Sequence, residues 1–335
     1  MNAKVKVAVI GASGYTGLEL IKILIAHPNF EIAYVATSEG ETKLTTLHPA
    51  LAGIAECDVE KASAEAVAAS CELAFLALPH KTAMGFVKAL MALGVKTVDL
   101  SADYRLERET YETHYCEHID PENLPNAVYG LPELQRDALR SARLVANPGC
   151  YPTASILAAL PFMFYRRPGT PIVIDAKSGV SGAGKKCVQN THYVTINENL
   201  FAYNPMAHRH GPEIAEKLKV AEEEVHFVPH LVPATRGMLA SVYLQVEGDF
   251  DPVEVLERYY AEEPFVRVRR EPVDMKSVAG TNFCDIFVKR SGDMLFISSA
   301  IDNLLRGASS QAVANANLMM GFDEGTGLPL LAYVP

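Results

Sequence analysis

Through the first 150 residues of the chain, runs of β-branched and apolar residues alternate with segments of helical period. They read VKVAVI, YTGLELIKILIAH, EIAYVAT, a helix over 62–70, ELAFLALP, TAMGFVKALMALG, KTVDLS and ARLVAN. A strand that is apolar at nearly every position has no face to leave to water, so both of its faces must be covered. Helices inserted between successive strands do this, and the alternation predicts an α/β domain on a doubly wound parallel sheet. After about residue 149 the rhythm changes. IVIDAKSG, VHFVPHLVP, MLASVYLQVEG, FVRVRR, NFCDIFVKR and MLFISSAID follow with fewer helices between them, which predicts a second, α+β catalytic domain of mixed or antiparallel sheet. The last helical stretch, GASSQAVANANLMMG, is expected to pack back on the first domain. The expected division is therefore 1–148 with 303–335, and 149–302.

At 335 residues the chain exceeds the usual size of a single core, in keeping with two domains. No run of ~18 apolar residues occurs, and a strand follows Met1 where a signal peptide would place its charged and apolar regions. A soluble cytoplasmic protein without a membrane partner is expected. The formal charge of −10 weighs against a nucleic-acid surface, and RVRR (267–270) and YRRPG (165–169) read as solvated faces. The cysteines at 57, 71, 116, 150, 187 and 284 form no CxxC pair and no metal-like spacing with histidine, so neither a disulfide framework nor a metal site is expected. Cys71, inside CELAFLAL, reads as a small buried apolar residue.

VAVIGASGYTG places Gly11, Gly14 and Gly17 where a strand ends and a helix starts. Glycines there let backbone approach a pyrophosphate, whose charge the free N–H groups and dipole of the next helix favour. The bland alternative is a strand–helix turn that simply needs glycines. With the cradle the sheet reads as Rossmann-type. The second strand ends VATSEG, so Thr37 and Ser38 stand where an NAD-binding fold usually carries a carboxylate for the ribose 2′-hydroxyl. With Lys43 close by this favours NADP(H), against which Glu39 and Glu41 count.

Cys150 alone among the cysteines stands beside turn residues at the edge of a helical pattern, in ANPGCYPTAS. Helix N-terminal N–H groups stabilise a thiolate and suit it to be a covalent nucleophile; a structural cysteine in a tight turn is the alternative. In AHRHGPEI, His208 and His210 flank Arg209 just before a helix expected near Pro212, and a histidine there can move a proton near neutral pH. His27, His48 and His114 receive no role. Arg236, in VPHLVPATRGMLAS, can grip a carboxylate or phosphate in two-point fashion, or pair with a surface acid. A nicotinamide beside an activated thiol is the apparatus for interconverting an aldehyde and an acyl derivative through a thioester.

These blocks, with ALPHKTAM, VDLSADYRL, YGLPEL, KSGVSGAG and DNLLRGASSQAVANANLMMGFDEGTGL, span nearly the whole chain, which resembles the N-acetyl-gamma-glutamyl-phosphate reductases of the semialdehyde dehydrogenase superfamily. The resemblance implies Cys150 as nucleophile and an acid/base histidine in HRH, with His208 ahead of His210. It places Ser178, Glu198, Arg209 and Arg236 with the substrate. Toward the cofactor it places Gly11, Ser13, Gly14, Tyr15, Thr16, Gly17, Ser38, Leu78, Pro79, His80, Ser181, Gly182 and Asn303. The reaction implied is NADPH-dependent reduction of N-acetyl-L-glutamyl 5-phosphate to N-acetyl-L-glutamate 5-semialdehyde plus phosphate, in arginine biosynthesis, by a homodimer or homotetramer. Many relatives carry a serine-arginine pair and a glycine-lysine turn where this chain reads TSEGETK, which leaves open the group that reads the 2′-phosphate. The rivals are reductases of aminoadipyl or aspartyl phosphate, and a non-catalytic NADP-binding sensor.

Overall fold

The computed structural model describes residues 3–334. The chain divides into two compact units, residues 1–148 with 308–329 and residues 149–307 with 330–335. The second unit thus runs on through 303–307 and takes the last residues, which the sequence reading had left to the first.

In the first unit β1 (Val5–Ile10), α1 (Tyr15–Ala26) and β2 (Phe30–Thr37) lead through β3 (Thr42–Lys43) and α2 (Leu44–Leu47) to β4 (Asp58–Lys61). There follow α3 (Ala64–Ser70), β5 (Leu73–Leu76), α4 (Thr82–Ala92), β6 (Lys96–Asp99), α5 (Arg108–His114), β7 (Ala127–Tyr129), α6 (Pro132–Ser141) and β8 (Leu144–Ala146). The eight strands order as β3-β4-β2-β1-β5-β6-β8-β7, and every pairing but β3 with β4 is parallel. Val7 to Ile10 and Leu73 to Leu76 are fully buried, as strands covered on both faces require. The Ser63 hydroxyl caps α3 by accepting the Ala66 N–H (3.2 Å), which sets the helix start two residues inside the expected span.

The second unit opens with α7 (Cys150–Ala159), then β9 (Ile172–Gly179), α8 (Tyr193–Ile196), β10 (Phe201–Ala202), α9 (His210–Leu218), β11 (Val225–Val232) and β12 (Met238–Gln245). α10 (Pro252–Tyr259), β13 (Val266–Val268), β14 (Cys284–Ser291) and β15 (Met294–Ile301) complete it. Its seven strands order as β10-β11-β9-β12-β15-β14-β13 in a mixed sheet. The fold is thus the one expected, a parallel α/β sheet and a second, mixed-sheet unit. α7, buried from Tyr151 to Ala159, packs on β12 and β15 and against α9. The chain then returns to the first unit as α11 (Ser309–Met319), buried at every residue and packed on α1 and α6.

The reading from sequence passed directly from KTVDLS to ARLVAN, whereas the structure inserts α5, β7 and α6 between them. Only Pro132 and Leu139 of α6 are buried, and PELQRDALRS is mostly polar, so the helix offers few apolar residues to read.

At the end of β6, Asp99 is fully buried and accepts the Ser101 N–H (3.0 Å) and hydroxyl (2.7 Å). Burial pushes its carboxyl up to about 7, with Asp103 adding repulsion. Because the folded value lies above the unfolded 3.8, the native state keeps a proton that the unfolded chain releases, and stability falls as pH rises from about 4 to 7. That window is worth on the order of 4 kcal/mol. Asp99→Asn is expected to flatten this slope and to raise the first unit's Tm at pH 8 by about 5–10 °C in calorimetry. The same pH slope in both proteins would refute this.

Candidate active site

In the first unit Gly11 closes β1 at φ +94, and a Cβ there would stand 2.2 Å from the Ala77 carbonyl oxygen. A Cβ at Gly17 would stand 2.4 Å from the Gly11 oxygen. These two glycines are demanded by the chain's own packing. Gly14 is different. It is the N-cap of α1, makes no side-chain cap, and its absent Cβ would meet nothing nearer than 3.8 Å. The space above the helix start is kept clear by the lack of a side chain, with the dipole of α1 behind it, which fits a pyrophosphate. Tyr15 and Thr16 open α1, and Ser13 stands in the turn before it. The Thr16 carbonyl accepts the Ser309 hydroxyl (3.0 Å), and the Ala12 carbonyl accepts the His48 ring (2.6 Å), so a histidine given no role braces the cradle.

After β2 the Thr37 hydroxyl accepts the Gly40 N–H (3.0 Å) and Ser38 is exposed. Lys43 is paired with Asp58 (2.5 Å), so its charge is answered within the chain. Leu78, Pro79 and His80 form the loop after β5. His80 Nδ1 accepts the Ala102 N–H (3.0 Å), which leaves its ring proton on Nε2. Asp103 Oδ2 accepts the N–H groups of Lys81 (2.9 Å) and Met84 (3.2 Å) and caps α4, while Oδ1 accepts the Tyr111 hydroxyl (2.7 Å). Lys81 is held at φ +70, a costly conformation for a side chain with a Cβ. SADYRL thus fixes the loop, a role its spacing did not announce.

In the second unit Cys150 is the first residue of α7, after the N-cap Gly149. The Gly149 N–H donates to Glu213 Oε1 (3.0 Å), a buried carboxylate of α9. His210 begins α9 and Arg209, exposed, is its N-cap. The two histidine rings lie 4.8 Å apart, and both meet the Tyr151 ring edge-on at 5.7 and 5.9 Å. His208 also packs on Tyr203 (5.5 Å) and Phe227 (5.4 Å). Burial, with Arg209 second, lowers its imidazole to about 4, and Nδ1 accepts the N–H of His210 (3.1 Å). His208 is therefore neutral near pH 7 with its proton on Nε2. The Tyr203 hydroxyl donates to that of Tyr151 (3.0 Å), and burial raises both phenols above their usual range.

Beside Cys150, Asn303 Nδ2 donates to Ser181 Oγ (3.0 Å) and its Oδ1 accepts the Gly237 N–H (2.8 Å). A Cβ on Gly182 would press on Ser178 Oγ (2.9 Å) and Asn303 Nδ2 (3.5 Å). Arg236 lies fork-on to buried Asp302, Nε to Oδ2 at 3.2 Å and Nη2 to Oδ1 at 3.4 Å, so its partner is an interior acid and not a surface one. In the second unit the neighbour of Cys150, Tyr151, meets the rings of His208 and His210, while Ser178, Ser181, Gly182 and Asn303 stand close to one another and Arg236 is held by Asp302. Glu198 sits at φ +56 on an exposed turn after α8. Tyr203, Glu213 and Gly307 had no role in the reading from sequence, although Glu213 lies inside AHRHGPEI and Gly307 inside DNLLRGASSQAVANANLMMGFDEGTGL.

RVRR is answered by acids: Arg267 pairs with Asp285 (2.5 Å) and Arg270 with Glu257. Among the described residues no group of acids, histidines and cysteines could hold a metal, and no helix is long and apolar enough to cross a membrane.

Residues 6–142 match the semialdehyde dehydrogenase NAD-binding domain, and residues 150–303 the semialdehyde dehydrogenase dimerisation domain. The first unit is thus an NAD-binding domain of that class. The fold is shared with aspartate semialdehyde dehydrogenase II of Vibrio cholerae, solved with ASA, at a TM-score of 0.73 and 16% identity over 96% of this chain and 99% of that one. N-acetyl-gamma-glutamyl-phosphate reductase of Sulfurimonas denitrificans is 63% identical over 99% of both chains, and that of Sulfurovum sp. 60% identical over 99% of this chain and 100% of its own. The chain belongs to the N-acetyl-gamma-glutamyl-phosphate reductase family.

Proposed function

We propose that the protein reduces N-acetyl-L-glutamyl 5-phosphate to N-acetyl-L-glutamate 5-semialdehyde and phosphate with NADPH, by way of a thioester on Cys150, in arginine biosynthesis. The observation that carries the reading is Cys150 at the first turn of α7, where helix N–H groups favour a thiolate, with its neighbour Tyr151 set against the rings of His208 and His210. Family membership over the full chain supports the substrate.

In this reading the Cys150 thiolate attacks the acyl carbon, a C–S bond forms and phosphate leaves with the bonding pair of the acyl C–O bond. When bound, NADPH supplies a hydride for the thioester carbon. His210 protonates the resulting hemithioacetal oxygen, and takes that proton back as the C–S bond breaks to release aldehyde and thiolate. His208, neutral and locked by the His210 amide, holds the ring stack in place. Arg236, its plane set by Asp302, anchors an anionic end of the substrate, with Ser178 beside it. The cradle at Gly11 to Gly17, with Ser13, Tyr15 and Thr16, holds the pyrophosphate, Ser38 meets the 2′-phosphate, and Leu78 to His80 serve the nicotinamide end. Ser181, Gly182 and Asn303 are further cofactor candidates, and the match of 150–303 to a dimerisation domain supports a homodimer or homotetramer.

The test is the reverse reaction, with N-acetylglutamate 5-semialdehyde, phosphate and NADP+, measured against aspartate semialdehyde. The expected result is the highest kcat/KM with the acetylated substrate, and a preference for NADP+ over NAD+ on the order of 10-fold or more, the worth of a charge-assisted contact. Equal turnover of aspartate semialdehyde would make the protein an aspartyl phosphate reductase instead. Cofactor binding without any turnover would make it a sensor.

A further inference from the structure

Gly307 has no Cβ at a place where none would fit. An atom built there would lie 2.6 Å from the Cys150 Cβ, 2.6 Å from the Asn303 carbonyl oxygen and 3.0 Å from the Asn303 Cα. Its φ is not positive, so no left-handed backbone calls for the glycine; the close approach does.

The turn that carries Gly307 cannot yield easily. Asp302 is fully buried, its carboxylate accepts the N–H groups of Leu304 (2.9 Å), Leu305 (3.0 Å) and Gly280 (2.7 Å), and it is paired with Arg236. Asn303 is tied to Gly237 and Ser181, and the Gly307 N–H donates back to the Asp302 carbonyl (2.9 Å). On the other side, Cys150 is held by α7, which is buried throughout, and by the grip of Glu213 on the Gly149 amide. Two fixed bodies meet at Gly307 Cα and Cys150 Cβ.

We infer that Gly307 is a positioning residue for the nucleophile: the pinned turn 302–307 is the wall against which the Cys150 Cβ rests, and it fixes where the sulfur stands relative to the α7 N–H groups. The inference rests on the reading of Cys150 as nucleophile. An added methyl must displace either the turn or the first turn of α7 by roughly 1 Å, and a shift of that size at a reacting atom costs on the order of 10²-fold in rate.

The experiment is Gly307→Ala in the full-length protein. Cys150 alkylation by iodoacetamide is mapped by mass spectrometry against the exposed Cys187 as internal reference, beside kcat, KM and NADPH binding. The expected result is a kcat lower by about 10²-fold, a changed alkylation rate and pH profile at Cys150 alone, and NADPH binding within twofold of normal. Gly130→Ala serves as comparison, because its Cβ would press on Asn315 Nδ2 (2.4 Å) and Val145 Cγ1 (2.8 Å) and on no atom of the turn 302–307 or the cysteine, so Cys150 alkylation stays normal in it. If Gly307→Ala does not fold, Asp302→Asn, which loosens the same turn without adding an atom, is read in the same way.

A folded Gly307→Ala enzyme with normal kcat and normal Cys150 alkylation overturns the inference, as does Asp302→Asn with normal Cys150 alkylation where the alanine variant cannot be made. If Cys150→Ser proved active, the nucleophile reading itself would fall, which separates the two outcomes.

Discussion

Cys150→Ser is expected to lose on the order of 10⁴-fold or more in kcat while binding NADPH within twofold of normal. The hydroxyl is smaller than the thiol, so it fits the same contact with Gly307 and leaves α7 undisturbed. What changes is chemistry. A serine hydroxyl is barely ionised near neutral pH even at a helix N-terminus, and an oxygen ester accepts hydride less readily than a thioester. Alkylation should agree. Burial holds the Cys57 and Cys71 thiols above their usual range, and Cys284 is buried, so a mild reagent should modify Cys150 well ahead of all three. NADPH binding read by nucleotide fluorescence, with single-turnover reduction, checks both halves. A serine enzyme that reduced the acyl phosphate at near the normal rate would refute the thioester route.

The second large effect falls on one histidine of the pair. His210→Asn is expected to lose about 10² to 10⁴-fold in kcat, whereas His208→Asn should lose far less. The difference follows from what each ring can do. His208, lowered to about 4 by burial and by Arg209, carries no charge at neutral pH, and its Nδ1 is occupied by the backbone of its neighbour. Such a ring is a poor acceptor for a proton that must be taken and returned near pH 7. The folded value of His208 lies below the unfolded 6.5, so its imidazole costs stability as pH falls from there toward 4. Replacing His208 should relieve that acid sensitivity. A kcat loss confined to His208→Asn would reverse the assignment.

The fold was legible where physics is local. VKVAVI and ELAFLAL are apolar enough to ask for cover on both faces, and Gly17 makes room for the nearby backbone of Gly11 and Ala12, although Gly11 makes room for the distant Ala77 carbonyl. Cys150 was visible for the same reason, because the helix it begins is its own continuation. Asp103, Glu213 and Gly307 act across long stretches of chain, on an α4 amide, on the Gly149 amide and on the Cys150 Cβ, and no spacing encodes those contacts. The pairing of Lys43 with Asp58 was hidden likewise, since the antiparallel β3–β4 contact that brings them together is a two-residue ladder. The burial of His208 and the backbone donor on its Nδ1 are likewise not displayed by HRH.

The path of the chain has a consequence for how the protein is made. α11, every residue of it buried, supplies part of the first unit's interior, yet it follows the whole stretch 149–307 in the chain. On the ribosome the strands of the first sheet emerge early, and the surfaces of α1 and α6 that α11 will cover must wait, bare, while the second unit is synthesised. The second unit has no such delay over 149–307 and can fold as it emerges. Nascent chains arrested before residue 309 should therefore present an apolar groove on an otherwise formed sheet, a natural point of engagement for a chaperone that shields apolar surface during synthesis.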